Sequence, residues 1–126
     1  MLAVCLLTAD RSDYTADTVH SFAAMNTLAQ LNGCMLLHAD DGSESKSNER
    51  IADAGGFETV YRAPRRLGIM KALRCMWNEA ESRGASWILH LENDCVSVKP
   101  LPDRDPVSFG AESIRLYGAE KGPGFK

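Results

Sequence analysis

The stretch that decides the fold is Leu2-Ala-Val-Cys-Leu-Leu7-Thr8-Ala-Asp-Arg11. Its first six residues are continuously apolar, and it breaks abruptly into polar residues. A strand covered on both faces reads this way, because neither side of it alternates with water. The run lacks a basic leader and meets Asp10 and Arg11 almost at once, so it is neither a secretory signal nor a membrane span. The carboxyl end of this strand is therefore a candidate site edge.

Working outward, the pattern repeats. Val19, Phe22, Ala23 and Ala29 recur at helical spacing between about Thr15 and Leu31, and Asn32-Gly33 supplies a left-handed stop. Cys34 to His38 is a second short apolar run, ending in Asp40-Asp41-Gly42-Ser43, a turn composition. Ser43 to Ala54 reads as a short surface helix closed by Gly55-Gly56, and Phe57 to Tyr61 as a third strand. Met70, Leu73, Trp77 and Ala80, spaced by three and four, predict a helix burying a wide stripe and ending at Arg83-Gly84. Trp87 to Leu91 then forms a fourth strand, which runs into Glu92-Asn93-Asp94.

Strands alternating with helices predict an α/β domain: a Rossmann-type three-layer α/β/α sandwich around a mostly parallel sheet of about four strands with three helices. Ligands of such sheets bind at the carboxyl strand ends, where all the acidic clusters fall. At 126 residues, 44% hydrophobic and 25% charged, the chain suits one soluble globular domain. Residues 1–100 carry the domain. Residues 101–126 form a Pro- and Gly-rich extension, with a short strand expected at Ser113 to Tyr117. A net charge of −3 argues against nucleic-acid binding through bulk charge. Four scattered cysteines without a C-x-x-C pair suggest neither zinc nor a disulfide framework, and the expectation is reduced, mostly buried thiols in a cytoplasmic protein.

Phosphate-binding glycine loops and G-x-S-x-G are absent from the sequence, so dinucleotide, P-loop and serine hydrolase chemistry lose support. His38 and His90 are expected as packed, hydrogen-bonded strand residues. What remains is acidic: Asp40 and Asp41 after strand two, Glu92 and Asp94 after strand four. A hard divalent cation takes one or two carboxylates plus substrate phosphates, which Glu-x-Asp can supply. The same residues also serve to solvate loops or cap helices.

Taken in order, Val4-Cys-Leu-Leu-Thr8, Arg11-Ser-Asp-Tyr14, Thr18-Val-His-Ser21, Asp40-Asp-Gly-Ser43, Leu67-Gly68 and Leu91-Glu-Asn-Asp94 resemble the donor-binding half of a family 2 type glycosyltransferase with the GT-A fold. The resemblance covers roughly residues 1 to 100. It implies a metal-dependent glycosyltransferase whose donor is a nucleotide-diphosphate sugar. The second aspartate of D-D-G-S, Asp41, would recognise the base and favour uracil, hence UDP, with Thr8 beneath it. Asp10, Arg11, Asp40 and Asn93 would line the donor site, and Arg65 or Arg66 would face the nucleotide. The D-x-D motif that holds Mn2+ or Mg2+ is written Glu92-Asn93-Asp94, with Asp94 as ligand and Glu92 departing from the pattern.

An inverting relative places its base on a later segment, and Asp103, Asp105, Glu112 and Glu120 are the carboxylates found there. Their Pro- and Gly-rich surroundings offer no rigid platform, so no catalytic base is assigned and the acceptor stays unknown. The expectation is a donor-binding part of a longer enzyme, with 101–126 as the start of an acceptor-side segment. An exposed edge at strand four would then allow a homo-oligomer. A non-catalytic nucleotide-sugar-binding protein and a structural α/β module remain the alternatives.

Overall fold

The computed structural model describes residues 1–25 and 34–95. Four strands, β1 (Leu2–Thr8), β2 (Met35–Asp40), β3 (Glu58–Arg62) and β4 (Trp87–Glu92), alternate with three helices, α1 (Ser12–Met25), α2 (Ser47–Ala54) and α3 (Ile69–Ser82). The sheet is wholly parallel in the order β3-β2-β1-β4. Among the described residues this is the α/β fold with a parallel four-stranded sheet and three helices that the alternation predicts. The end of the first predicted helix, to Leu31, and everything expected beyond residue 95 lie outside the described residues.

Every residue of β1 is buried because the strand is central and covered on both faces. Strand pleating sends Ala3, Cys5 and Leu7 to one side, where they meet Leu37, Ala39, Ala72, Leu73 and Met76 under α3. Leu2, Val4 and Leu6 go to the other side, against Val19, Phe22, Ala52 and Phe57 of the layer built by α1 and α2. The two cores make the three layers.

Several boundaries differ from the sequence reading. Helix α1 starts at Ser12 rather than Thr15, because the Arg11 carbonyl accepts from the Tyr14 and Thr15 amides and opens the first turn, where Asp13 also suits the helix dipole. Helix α2 starts at Ser47, since Ser43 is held in the preceding turn. On α3 the buried stripe is Ala72, Leu73, Met76 and Ala80, whereas Met70 and Trp77 are exposed. Small alanines let the helix backbone approach the sheet, so the seam is rotated away from the two larger side chains. The thiols are also less buried than expected: Cys5 is buried and pushed up to about 11 by desolvation, Cys34 and Cys75 are half-buried, and Cys95 is exposed.

Candidate functional site at the carboxyl rim

Strand β2 flanks β1 on one side and β4 flanks it on the other. The strand order thus reverses between β1 and β4, the position at which open α/β sheets form a crevice. Asp10 sits at that position. Asp10 and Arg11 both adopt left-handed backbone conformations, with φ of 49° and 47°. Such conformations cost a non-glycine residue about 1 kcal/mol or more each, so surrounding bonds must hold them.

Those bonds come from four other segments. The Asp10 amide donates to Ser43 Oγ at 2.7 Å, and the Asp10 carbonyl accepts from Asn48 Nδ2 at 2.9 Å and Asn93 Nδ2 at 3.0 Å. Its carboxylate accepts from the Glu44 amide at 3.1 Å and from the Arg66 guanidinium at 2.6 Å. Arg66 and the Glu44 amide hold the Asp10 carboxyl below its ordinary value. Asp10 therefore joins the loops that follow all four strands, although an ion pair this exposed adds little to stability by itself.

Beneath this hub lies a buried polar chain. Thr8 Oγ1 donates to Asp40 Oδ1 at 2.7 Å and so accepts from His38 Nε2 at 2.8 Å, which leaves His38 Nδ1 to accept from the Thr59 hydroxyl at 2.7 Å. Burial pushes His38 down to about 4, which keeps the ring neutral, as this pattern requires. Burial alone would raise the Asp40 carboxyl, but bonds from Ser43, Thr8 and Asn48 outweigh it and hold Asp40 below the usual carboxylate value. Asp40 also accepts the Ser43 amide at Oδ2 and its hydroxyl at Oδ1. These two bonds to a residue three positions on close the turn that follows β2.

The rest of D-D-G-S is equally engaged. Asp41 is 3% exposed, and its Oδ1 accepts from the Leu67 and Gly68 amides at 3.0 and 3.2 Å. Gly42 has φ of 72°, and a Cβ there would fall 2.1 Å from the Arg65 carbonyl carbon, so only glycine lets the two loops touch. Thus the β2 loop fixes the β3–α3 loop, residues 63–68, in place.

The sequence-predicted residues separate into three groups. Thr8, Asp40 and Asp41 are buried and bonded to the protein. Asp10, Arg66 and Asn93 meet at the hub. Arg11, Arg65, Glu92 and Asp94 are exposed around it. Arg11 folds back on its own helix, 3.5 Å from Asp13 and 3.9 Å over the Tyr14 ring. Glu92 turns toward the half-buried His90, 3.3 Å from Nε2, so His90 is less packed than His38. Asp94 lies on the turn closed by the Cys95 amide to the Glu92 carbonyl. Among the described residues no three His, Cys, Asp or Glu side chains gather as a metal site. Asp94 alone with phosphate oxygens still fits a hard cation, which needs few protein ligands. The later carboxylates, Asp103, Asp105, Glu112 and Glu120, fall outside the described residues.

One residue that sequence reasoning passed over is Asn48. It is 2% exposed, and its Nδ2 reaches Asp10 O, Ser43 Oγ and Asp40 Oδ1, three acceptors that fix the amide's orientation. Its Oδ1 is buried with no partner among the described residues, and Asn48 lines a depression of about 190 Å³ with Asp10, Arg11, Ser12 and Ser43 to Ser45. A larger depression, about 710 Å³, lies between α2 and β3 and is lined by Lys46, Glu49, Arg50, Asp53 and Glu58. Its charges oppose one another around open solvent, and no carboxyl strand end converges there, so the rim carries the better claim. No protein-family model matches this chain, and the search of curated proteins finds no match to it.

Proposed function

We propose that the rim binds a nucleotide-diphosphate sugar, UDP-linked, and that the chain is the donor-binding part of a metal-dependent glycosyltransferase. The observation that carries this reading is the convergence of four strand-end loops on Asp10 at the point where strand order reverses. Arg66 and Arg65 meet the diphosphate, and Asp94, with Glu92 beside it, would hold Mn2+ or Mg2+. When bound, such an ion would supply positive charge for the leaving diphosphate. Asp41 keeps Oδ1 on the loop amides and turns Oδ2 to the imino group of uracil. Thr8 and Asp40 act beneath the site by fixing Asp41 and Ser43, while Asn93 positions the Asp10 loop.

Glycosyl transfer also demands activation of an acceptor hydroxyl, through an oxocarbenium-like transition state. No residue is assigned to that task. A second reading, an α/β module without transfer, draws on one specific observation: Asp40, Asp41, Gly42 and Ser43 all have structural employment in the protein. Calorimetric titration of UDP, GDP, ADP and CDP, with and without Mn2+, separates the two. The donor reading expects UDP to bind best and Mn2+ to tighten it. Equal binding of all four, or none, would overturn it.

A further inference from the structure

Residues 59–78 contain no Asp or Glu but carry Arg62, Arg65, Arg66, Lys71 and Arg74, in a chain whose net charge is −3. Within them, residues 64–71 are exposed without interruption. Three large apolar side chains stand in this exposed run: Leu67 at 37%, Ile69 at 50% and Met70 at 58% exposure. They are held there. Asp41 binds the Leu67 and Gly68 amides, Gly42 packs on the Arg65 backbone, and the Lys71 amide donates to the Gly68 carbonyl. Arg62 and Arg66 are in ion pairs with Glu49 and Asp10, whereas Arg65, Lys71 and Arg74 pair with no carboxylate among the described residues.

We infer that this loop and the first two turns of α3 form a docking surface for an anionic lipid bilayer. Apolar side chains interleaved with cations on a fixed protrusion match the headgroup boundary, where the former enter the acyl edge and the latter meet anionic lipid. Residues 64–71 hold no aromatic side chain on which a nucleic-acid base could stack, which disfavours RNA. The remaining chain carries the negative balance, so attraction to anionic lipid is confined to this patch. No described helix is long and apolar enough to cross a membrane, and the contact is peripheral. Arg65 and Arg66 are shared with the proposed donor site, so the test leaves both unchanged and alters side chains that the donor site does not use.

The test is sedimentation of the full chain with vesicles of phosphatidylcholine alone, and of phosphatidylcholine with about one third phosphatidylserine. Binding to the anionic vesicles only, weakened by added salt, is expected. Lys71→Ala with Arg74→Ala should lower partitioning roughly 30-fold, at about fivefold per cation. Leu67→Ser with Met70→Ser should lower it at least about tenfold. These positions are exposed, and a thermal melt by circular dichroism verifies that each variant is folded. Failure to sediment with anionic vesicles, equal sedimentation with both vesicles, or indifference to folded variants would overturn the inference. So would retention on single-stranded RNA without vesicle binding.

Discussion

Replacing Thr8 by Val keeps the shape of the side chain and removes only its hydroxyl. That hydroxyl, wholly buried, is the link between His38 Nε2 and Asp40 Oδ1. A hydrogen bond to a charged group contributes about 1.5–3 kcal/mol, and stranding a buried N–H costs about 1–3 kcal/mol. The imidazole can soften this by moving its proton to Nδ1 and donating to Thr59, so the combined loss is about 3 kcal/mol. Against a typical domain stability of about 5–15 kcal/mol this is a large fraction. In urea, with a slope of about 2 kcal/mol/M, the midpoint should fall by roughly 1.5 M with the slope unchanged. Thr8→Ser keeps the hydroxyl, loses one methyl, and should cost about 1 kcal/mol. A Thr8→Val midpoint within about 0.25 M of the parent would show that the polar chain beneath the rim does not hold it.

The same chain sets an acid dependence. His38 is held neutral when folded, at about 4 against the ordinary 6.5, so the unfolded chain binds the extra proton first. Stability should therefore fall by about 3 kcal/mol as pH drops from 6.5 to 4, read as urea midpoints, and a flat profile there would refute the assignment. Asp40 is shifted the same way in the native state, so its contribution is present above 3.8 and is lost at still lower pH. Asp41→Asn retains an acceptor oxygen for the Leu67 and Gly68 amides and should leave stability within about 1 kcal/mol while removing the preference for UDP. Asp41→Ala should lose both, unfolding about 2 kcal/mol earlier. Asp94→Asn, on an exposed turn, should change stability by under about 0.5 kcal/mol and abolish the Mn2+-dependent part of UDP affinity; a large unfolding effect would mark a structural role instead.

The strands were readable because continuous apolar runs admit few other fates in a chain this size, and β1, apolar from Leu2 to Leu7, is buried along its whole length. Helix α3 was readable in extent and half in phase. Leu73 and Ala80 are buried as their spacing predicts, yet the seam also takes in Ala72 and Met76 in place of Met70 and Trp77, a rotation that a small residue such as Ala72 permits and a count of large apolar residues passes over. D-D-G-S was legible as a turn, but the partners of its side chains were not. Asp41 meets residues 67 and 68, Gly42 meets Arg65, and Thr8 meets His38 thirty positions away. Contacts at such separations depend on strand order, which a single sequence does not state. Asp10 shows the same limit: its composition suggests a polar loop, and its role as hub appears only once the four loops are brought together.

The central claim, a donor site at the carboxyl rim, is tested most directly by following backbone amide resonances of the isotopically labelled chain during titration with UDP and Mg2+. Saturable shifts should cluster at Ala9 to Arg11, Asp41 to Glu44, Arg66 to Gly68 and Asn93 to Asp94, and should shrink in Asp94→Asn. Shifts confined to the depression between α2 and β3, at Lys46, Arg50 and Glu58, or an unchanged spectrum at saturating UDP, would contradict the account.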